Sequence, residues 1–220
     1  MDNQPRAVIV GAGPNGLTAA ARLAMAGWSV DIYERAGWAG GAAASSTEIF
    51  PGTIVDLGAA GHPFGVASPA FHALDLESHG LRWLNAPYPM AHPLEGAPAG
   101  ILQSSLADTA AELGADARGW TRLHGHIVRH IDEHVANALT PLVRWPDRPM
   151  RLAQFGAAGT LPASQLGRAV LATPQARALF AGSAVHAITS PTRPFTSAFG
   201  LLFGGLGMTR GWPVVEGGTG

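Results

Sequence analysis

Gly11, Gly13 and Gly16 follow directly on the apolar run Val8-Ile9-Val10, and Glu34 ends a second short run, Ser29 to Tyr33. Residues of these types at this spacing can hold a dinucleotide. The first glycine allows a tight turn, the second lets backbone approach a pyrophosphate, and the third lets a helix pack closely on the preceding strand. Pro14 and Asn15 sit between them, where a helix would present its free N–H groups and positive dipole end to phosphate. An acidic side chain at the end of the second strand is placed to accept hydrogen bonds from ribose hydroxyls.

Three elements must position these residues. Val8 to Val10 reads as a buried strand of a parallel sheet. Leu17 to Ala26 is rich in Ala and Leu and free of Pro, so it reads as a helix, with Leu17, Ala20, Ala21 and Ala24 facing the sheet and Gly27 as its stop. Ser29 to Tyr33 is the second strand. A further glycine pair, Gly40-Gly41, with Ala42 after it, brings a second backbone segment toward the pyrophosphate. Then come the loop Val55-Asp56-Leu57-Gly58-Ala59-Ala60-Gly61-His62 and, at the end of the chain, Gly217-Gly218-Thr219-Gly220.

Histidines provide the other constellation. His126, His130 and His134 recur every fourth residue, and His130-Ile131-Asp132-Glu133-His134 satisfies H-x-x-E-H, a spacing that can share zinc. These positions flank an apolar stripe, where a polar helix boundary is expected in any case, so a solvated helix face is the preferred reading over a substrate-facing one. No metal is assigned. His62, beside the third glycine segment, is the candidate for a residue near substrate, against the plain alternative of a loop histidine before Pro63.

Composition narrows the classes. The 220 residues carry a net charge of −1, with 47% hydrophobic and 13% charged residues. A core is available and nucleic acid has no electrostatic footprint to bind. Cysteine is absent, which excludes disulfides, thiolate metal sites and a redox Cys pair. Every basic side chain is Arg, so lysine Schiff-base chemistry is excluded. There is no signal-peptide pattern, and a cytoplasmic location is the default expectation. Phe195 to Met208 is apolar but short of the roughly 20 residues that span a bilayer, so membrane contact is peripheral at most. It reads as a buried helix from Phe195 to Phe203 followed by a glycine-rich loop, or else as the wall of an apolar channel.

The expected organisation is an α/β fold: a βαβ nucleotide-binding core over residues 1–60, a mixed α+β region over 61–210, and a return toward the core over 211–220. Thr47 to Asp56 reads as a short strand or hairpin about Pro51-Gly52. Ser68 to His79 reads as a helix, and Leu81 to Leu84 and Ala99 to Gln103 as short strands with proline turns between. Ser105 reads as an N-cap with Asp108 three residues on, opening a helix to Leu113. A long helix follows, from Ala117 to Leu142, with Leu123, Ile127, Ile131, Val135, Leu139 and Leu142 as its stripe. Further helices are expected near Ser164 to Leu171 and Gln175 to His186.

In this order the glycine segments resemble the FAD-dependent phytoene desaturase-like oxidoreductases of the amine oxidase-like flavoprotein superfamily. The resemblance is specific in residues 6–62 and at the end of the chain. It implies that Gly11, Gly13, Pro14, Asn15 and Gly16 surround the FAD pyrophosphate. Glu34 would hold the adenosine ribose and Arg35 would lie along the adenine. Gly40, Gly41 and Ala42 would form a second phosphate contact, with Gly58 and Ala59 near the isoalloxazine. Many relatives carry Arg where this chain has Ala42, which removes one charged phosphate contact. No position matches a catalytic residue of the family.

Relatives of that family run to about twice a domain of ~200 residues. The resemblance therefore also implies an incomplete C-terminal side, with a C-terminal half or a second polypeptide completing the flavin site. The implied chemistry is hydride transfer between substrate carbon and flavin, on a hydrophobic small molecule. A non-catalytic nucleotide-binding subunit and an NAD(P)-binding oxidoreductase are the alternatives.

Overall fold

A computed structural model describes residues 4–139 and 148–220. In chain order the elements begin β1 (Arg6–Val10), α1 (Pro14–Met25), β2 (Ser29–Tyr33), β3 (Ser45–Ser46), β4 (Val55–Asp56), α2 (Pro63–Val66), α3 (Pro69–Leu74) and β5 (Trp83–Leu84). They continue β6 (Met90–Leu94), β7 (Ala97–Leu102), α4 (Leu106–Glu112), α5 (Ala117–Arg129), α6 (Ile131–Ala138), α7 (Pro149–Gly159), α8 (Ala163–Val170), α9 (Pro174–Ala184), α10 (Thr196–Arg210) and β8 (Val214–Val215). The chain divides into two compact units, Met1–Leu84 with Pro213–Gly220, and Asn85–Trp212. The divisions thus fall at 84/85 and 212/213, where the sequence suggested 60 and 210.

The first unit is a βαβ core with two small antiparallel strand pairs added. β1 and β2 pair in parallel from Arg6↔Ser29 to Val10↔Tyr33, with α1 as the crossover. Helix α1 starts at Pro14, three residues ahead of the expected start, because proline is favoured at the first helical position. β3 and β4 pair antiparallel about the Phe50–Thr53 turn, where Gly52 takes φ +76°. β5 pairs antiparallel with β8, so the final segment of the chain is part of this unit.

Two burial expectations fail here. Val8 and Val10 are 64% and 86% exposed, and Leu17 and Ala24 of α1 are exposed while Ala20 is buried. A parallel strand buries both faces only when further strands and helices flank it, and this sheet has two strands. The helix expected over Ser68 to His79 is confined to α3, which ends at Asp75 in the left-handed region (φ 50°).

The second unit is helical, with one hairpin. β6 and β7 pair antiparallel about Glu95-Gly96, with a bulge between His92 and Leu94 where Pro93 interrupts the ladder. The sequence placed β6 among proline turns. The Ser105 cap forms as expected, its hydroxyl oxygen accepting from Asp108 N at 3.0 Å. The long helix is instead two, α5 and α6, because His130 leaves helical geometry (φ −125°, ψ 30°). Ile127, Ile131 and Val135 of the stripe are buried, Leu139 is exposed, and Leu142 lies outside the described residues. Helix α7 had no counterpart in the sequence reading.

Helix α10 is the axis of this unit. It runs to Arg210, through the stretch expected to be a glycine-rich loop. Its glycines are contact points. A Cβ on Gly200 would stand 2.8 Å from the Phe180 ring, on Gly204 2.7 Å from the His124 ring, and on Gly205 2.8 Å from Ile127. Each glycine in a helix interior costs roughly 0.5–1 kcal/mol relative to alanine. Close approach of α5 and α9 on several sides offsets that cost, and the helix is buried over most of its circumference, with Phe199 exposed. Among the described residues no helix is long and apolar enough to cross a membrane.

Candidate dinucleotide site

The loop between β1 and α1 is shaped by its glycines. Gly11 takes φ +98°, and its N–H donates to Tyr33 O at 2.8 Å, extending the parallel ladder into the turn. A Cβ on Gly16 would overlap the Gly11 carbonyl oxygen, so only glycine lets α1 approach β1 this closely. Gly13 is the extended N-cap, and no side chain caps the helix. Asn15 and Gly16 donate to no protein acceptor among the described residues. A helix start with unspent N–H groups and no capping side chain fits an anion such as pyrophosphate.

The second glycine pair meets the first loop. Gly40 N donates to Ala12 O at 2.8 Å, and a Cβ on Gly41 would stand 3.0 Å from Gly13 Cα. Both glycines have positive φ (125° and 59°), which a residue with a side chain adopts only under strain. The third segment is zipped to the second. Ala59 N donates to Ala42 O at 2.8 Å, and a Cβ on Gly58 would come within 2.5 Å of that oxygen. The structure thus brings Gly11, Gly13, Pro14 and Gly16 together with Gly40, Gly41, Ala42, Gly58 and Ala59. Arg35 is exposed beside Glu34 and joins no ion pair among the described residues.

Glu34 does something the sequence reading did not foresee. One carboxylate oxygen accepts from Ala36 N at 2.8 Å and the other from Ala12 N at 2.7 Å. The Ala36 and then the Ala12 hydrogen bonds hold its carboxyl below the usual range. Glu34 therefore ties β2 to the glycine loop, and each oxygen keeps a lone pair for a ribose hydroxyl.

Asp56, Ser45, Thr219 and His62 form a network that stitches these segments to the last residues of the chain. Asp56 accepts from the Ser45 hydroxyl at 2.6 Å and from Thr219 N at 2.8 Å. Burial pushes the Asp56 carboxyl up, but the Ser45 and Thr219 hydrogen bonds outweigh it and leave it below its ordinary value. The Thr219 hydroxyl donates to Ala59 O at 2.7 Å, so at 3.3 Å from His62 Nε2 it acts as the acceptor. His62 also stacks obliquely on Trp83, with ring centroids 5.8 Å apart. The sequence reading gave Asp56 and Thr219 no role. The signal was there, as short polar residues within otherwise apolar glycine segments. An apolar groove of about 570 Å³ opens beside this assembly, lined among others by Pro14, Leu17, Ala43, Phe71, Leu74 and Thr219.

The histidine cluster is separate, in the second unit, and its face is not solvated. His134 is 4% exposed and packs on Phe155 at 5.0 Å, and the His126 ring lies 4.9 Å from His130 and 5.6 Å from His134. Arg151, on the unforeseen α7, covers the cluster and pairs with Glu133. Among the described residues no His, Asp or Glu trio is arranged to hold a metal ion.

Residues 9–75 match the family described as the NAD(P)-binding Rossmann-like domain. The first unit has a Rossmann-like, dinucleotide-binding fold. Solved structures extend the likeness to nearly the whole chain. One is a putrescine oxidase variant from a redesign of its cofactor binding, 20% identical over 98% of this chain, with a TM-score of 0.56. Others are a Pyrococcus furiosus protein (16%, over 97%, TM-score 0.55) and an oxidoreductase from Methanosarcina mazei (16%, over 97%, TM-score 0.53). This chain spans 46% of the length of each of them. At such identities the likeness establishes the fold.

Proposed function

We propose that this chain supplies the FAD-binding side of an oxidoreductase of the desaturase or dehydrogenase type, moving hydride between a hydrophobic small molecule and the flavin. The observation that carries the reading is the meeting of two positive-φ glycines, Gly40 and Gly41, with the uncapped start of α1 at Gly13. A single glycine loop suits any dinucleotide. A second backbone segment against it, zipped in turn to Gly58 and Ala59, suits a cofactor whose second half extends past the pyrophosphate. The likeness to a putrescine oxidase and to an oxidoreductase supports the reaction class, and the phytoene desaturase-like pattern supports a hydrophobic substrate.

When bound, FAD supplies the hydride acceptor or donor. The chain's own residues bind and orient. Glu34 would take the ribose, Asn15 and Gly16 N–H the pyrophosphate, and Gly40 to Ala42 its other side. Thr219 and Asp56 fix the 58–59 segment, which would lie near the flavin, and Thr219 holds His62 through Nε2. The apolar groove beside Leu17 and Phe71 adds wall that excludes water.

The reading includes further polypeptide. Val8 and Val10 on β1 present an apolar face of the kind that the crossover helices of further parallel strands cover. A C-terminal half or a second chain would complete both the sheet and the flavin site, in the cytoplasm. The test is to purify the chain alone and together with a candidate second half. Flavin absorbance with FAD released on denaturation is the expected result. Release of a nicotinamide cofactor and no flavin would favour a plain NAD(P) enzyme.

A further inference from the structure

We propose that a groove between α8 and α9, in the second unit, binds a medium-chain alkyl carboxylate. The groove has a volume of about 250 Å³. Its floor is made of small residues, Ala163, Gly167, Ala178 and Ala181, and its edges carry Arg168 and Arg177. Apolar surface makes up most of the lining, which suits an alkyl chain and not a sugar or a peptide backbone.

Three observations point to an acid headgroup. Arg168 has no carboxylate or carbonyl partner among the described residues, although it sits beside an apolar groove. Arg177 uses Nε on Leu171 O at 2.8 Å, which leaves its terminal N–H groups for a ligand. Asp116, which feels the Arg177 charge, already has its oxygens accepting from Ala172 N, Thr173 N and the Thr173 hydroxyl. In addition, the Ser164 hydroxyl is shielded from solvent and has no protein partner, so it can donate into the groove. Two guanidinium groups and a free hydroxyl lining an apolar trough complement a carboxylate with a hydrocarbon tail.

Gly167 is one of the groove's lining residues. A Cβ there would make only ordinary contact with the Phe180 ring, at 3.4 Å. Packing does not require glycine at this position, unlike Gly200 or Gly205, and alanine would favour the helix.

The experiment is calorimetric titration of the full chain, without flavin, with sodium octanoate, 1-octanol and sodium acetate, each below any micelle concentration. Saturable binding of octanoate is expected at one site, with octanol and acetate each at least about tenfold weaker, the scale of a charge-assisted pair. Arg168→Ala, at an exposed helical position, should weaken octanoate by about tenfold without changing the melting temperature. Ala178→Leu should abolish binding by filling the trough. Should Ala178→Leu fail to fold, the smaller change Ala181→Val, at the other alanine of α9 that lines the groove, gives the same readout. The proposal is overturned if octanoate does not saturate, if octanol binds as well, or if Arg168→Ala binds unchanged. Uptake only from phospholipid vesicles would equally overturn it.

Discussion

Gly16 sets the separation between β1 and α1, since any side chain there overlaps the Gly11 carbonyl. Gly16→Ala should therefore push the helix start off the pyrophosphate and weaken FAD by more than about tenfold, the scale of lost charge-assisted hydrogen bonds. Equilibrium titration by flavin fluorescence quenching checks it, and unchanged affinity would contradict the cradle. Glu34 makes a finer case. Glu34→Gln keeps one acceptor oxygen for Ala12 or Ala36, while Glu34→Ala keeps none. The order of affinity for adenosine-containing dinucleotides should be wild type, then Gln, then Ala. These residues were legible in the sequence because their job is local: a turn, a free N–H, a strand end. The double use of Glu34 was not legible, because Ala12 N reaches it from across the sheet.

Whether a segment forms a helix or a loop depends on what packs on it, and here the sequence misled. The glycines of α10 look like loop residues until Phe180, His124 and Ile127 are placed against them. Gly205→Ala should overpack this contact and destabilise the second unit by about 1–3 kcal/mol, read as a lower urea midpoint. The same helix covers His124, which is fully buried and whose pKa burial lowers to about 4, against a partial opposing pull from the Trp120 and Gly200 carbonyls. Between pH 6.5 and about 4 the unfolded chain binds a proton there that the folded chain refuses. Stability should thus fall as pH drops through that window, by up to about 1.4 kcal/mol per pH unit. His134, also lowered to about 4, chiefly by burial, adds in the same direction. Urea midpoints from pH 7 to 4 check the slope, which His124→Gln should reduce. The burial of His134 was illegible because α7, which covers it, carries no strong periodic signal of its own.

At the scale of the whole molecule, the alternation of strand, glycine turn and helix in the first unit was clear from sequence, and the boundary between units was not. The chain crosses into the second unit after β5 and returns before β8, and a two-residue strand leaves little pattern to read. The open face of β1 is the main consequence at this scale. If a C-terminal half or second chain adds strands beside β1, as proposed, Val8 and Val10 should become protected when it is supplied. Hydrogen exchange of β1 should slow on adding a completing half, and no change there would argue against completion through this sheet.

The most direct test of the central claim is the affinity of the purified chain for FAD measured beside FMN and NADP. The account rests on a pyrophosphate held between Gly13 and Gly41 and a ribose held by Glu34, so it requires the adenosine half together with the flavin half. It predicts that FAD binds, that FMN, which lacks the adenosine monophosphate portion and so has no pyrophosphate, binds far more weakly, and that Gly16→Ala removes the difference. Equal binding of FMN and FAD, or preference for NADP over FAD, would contradict it.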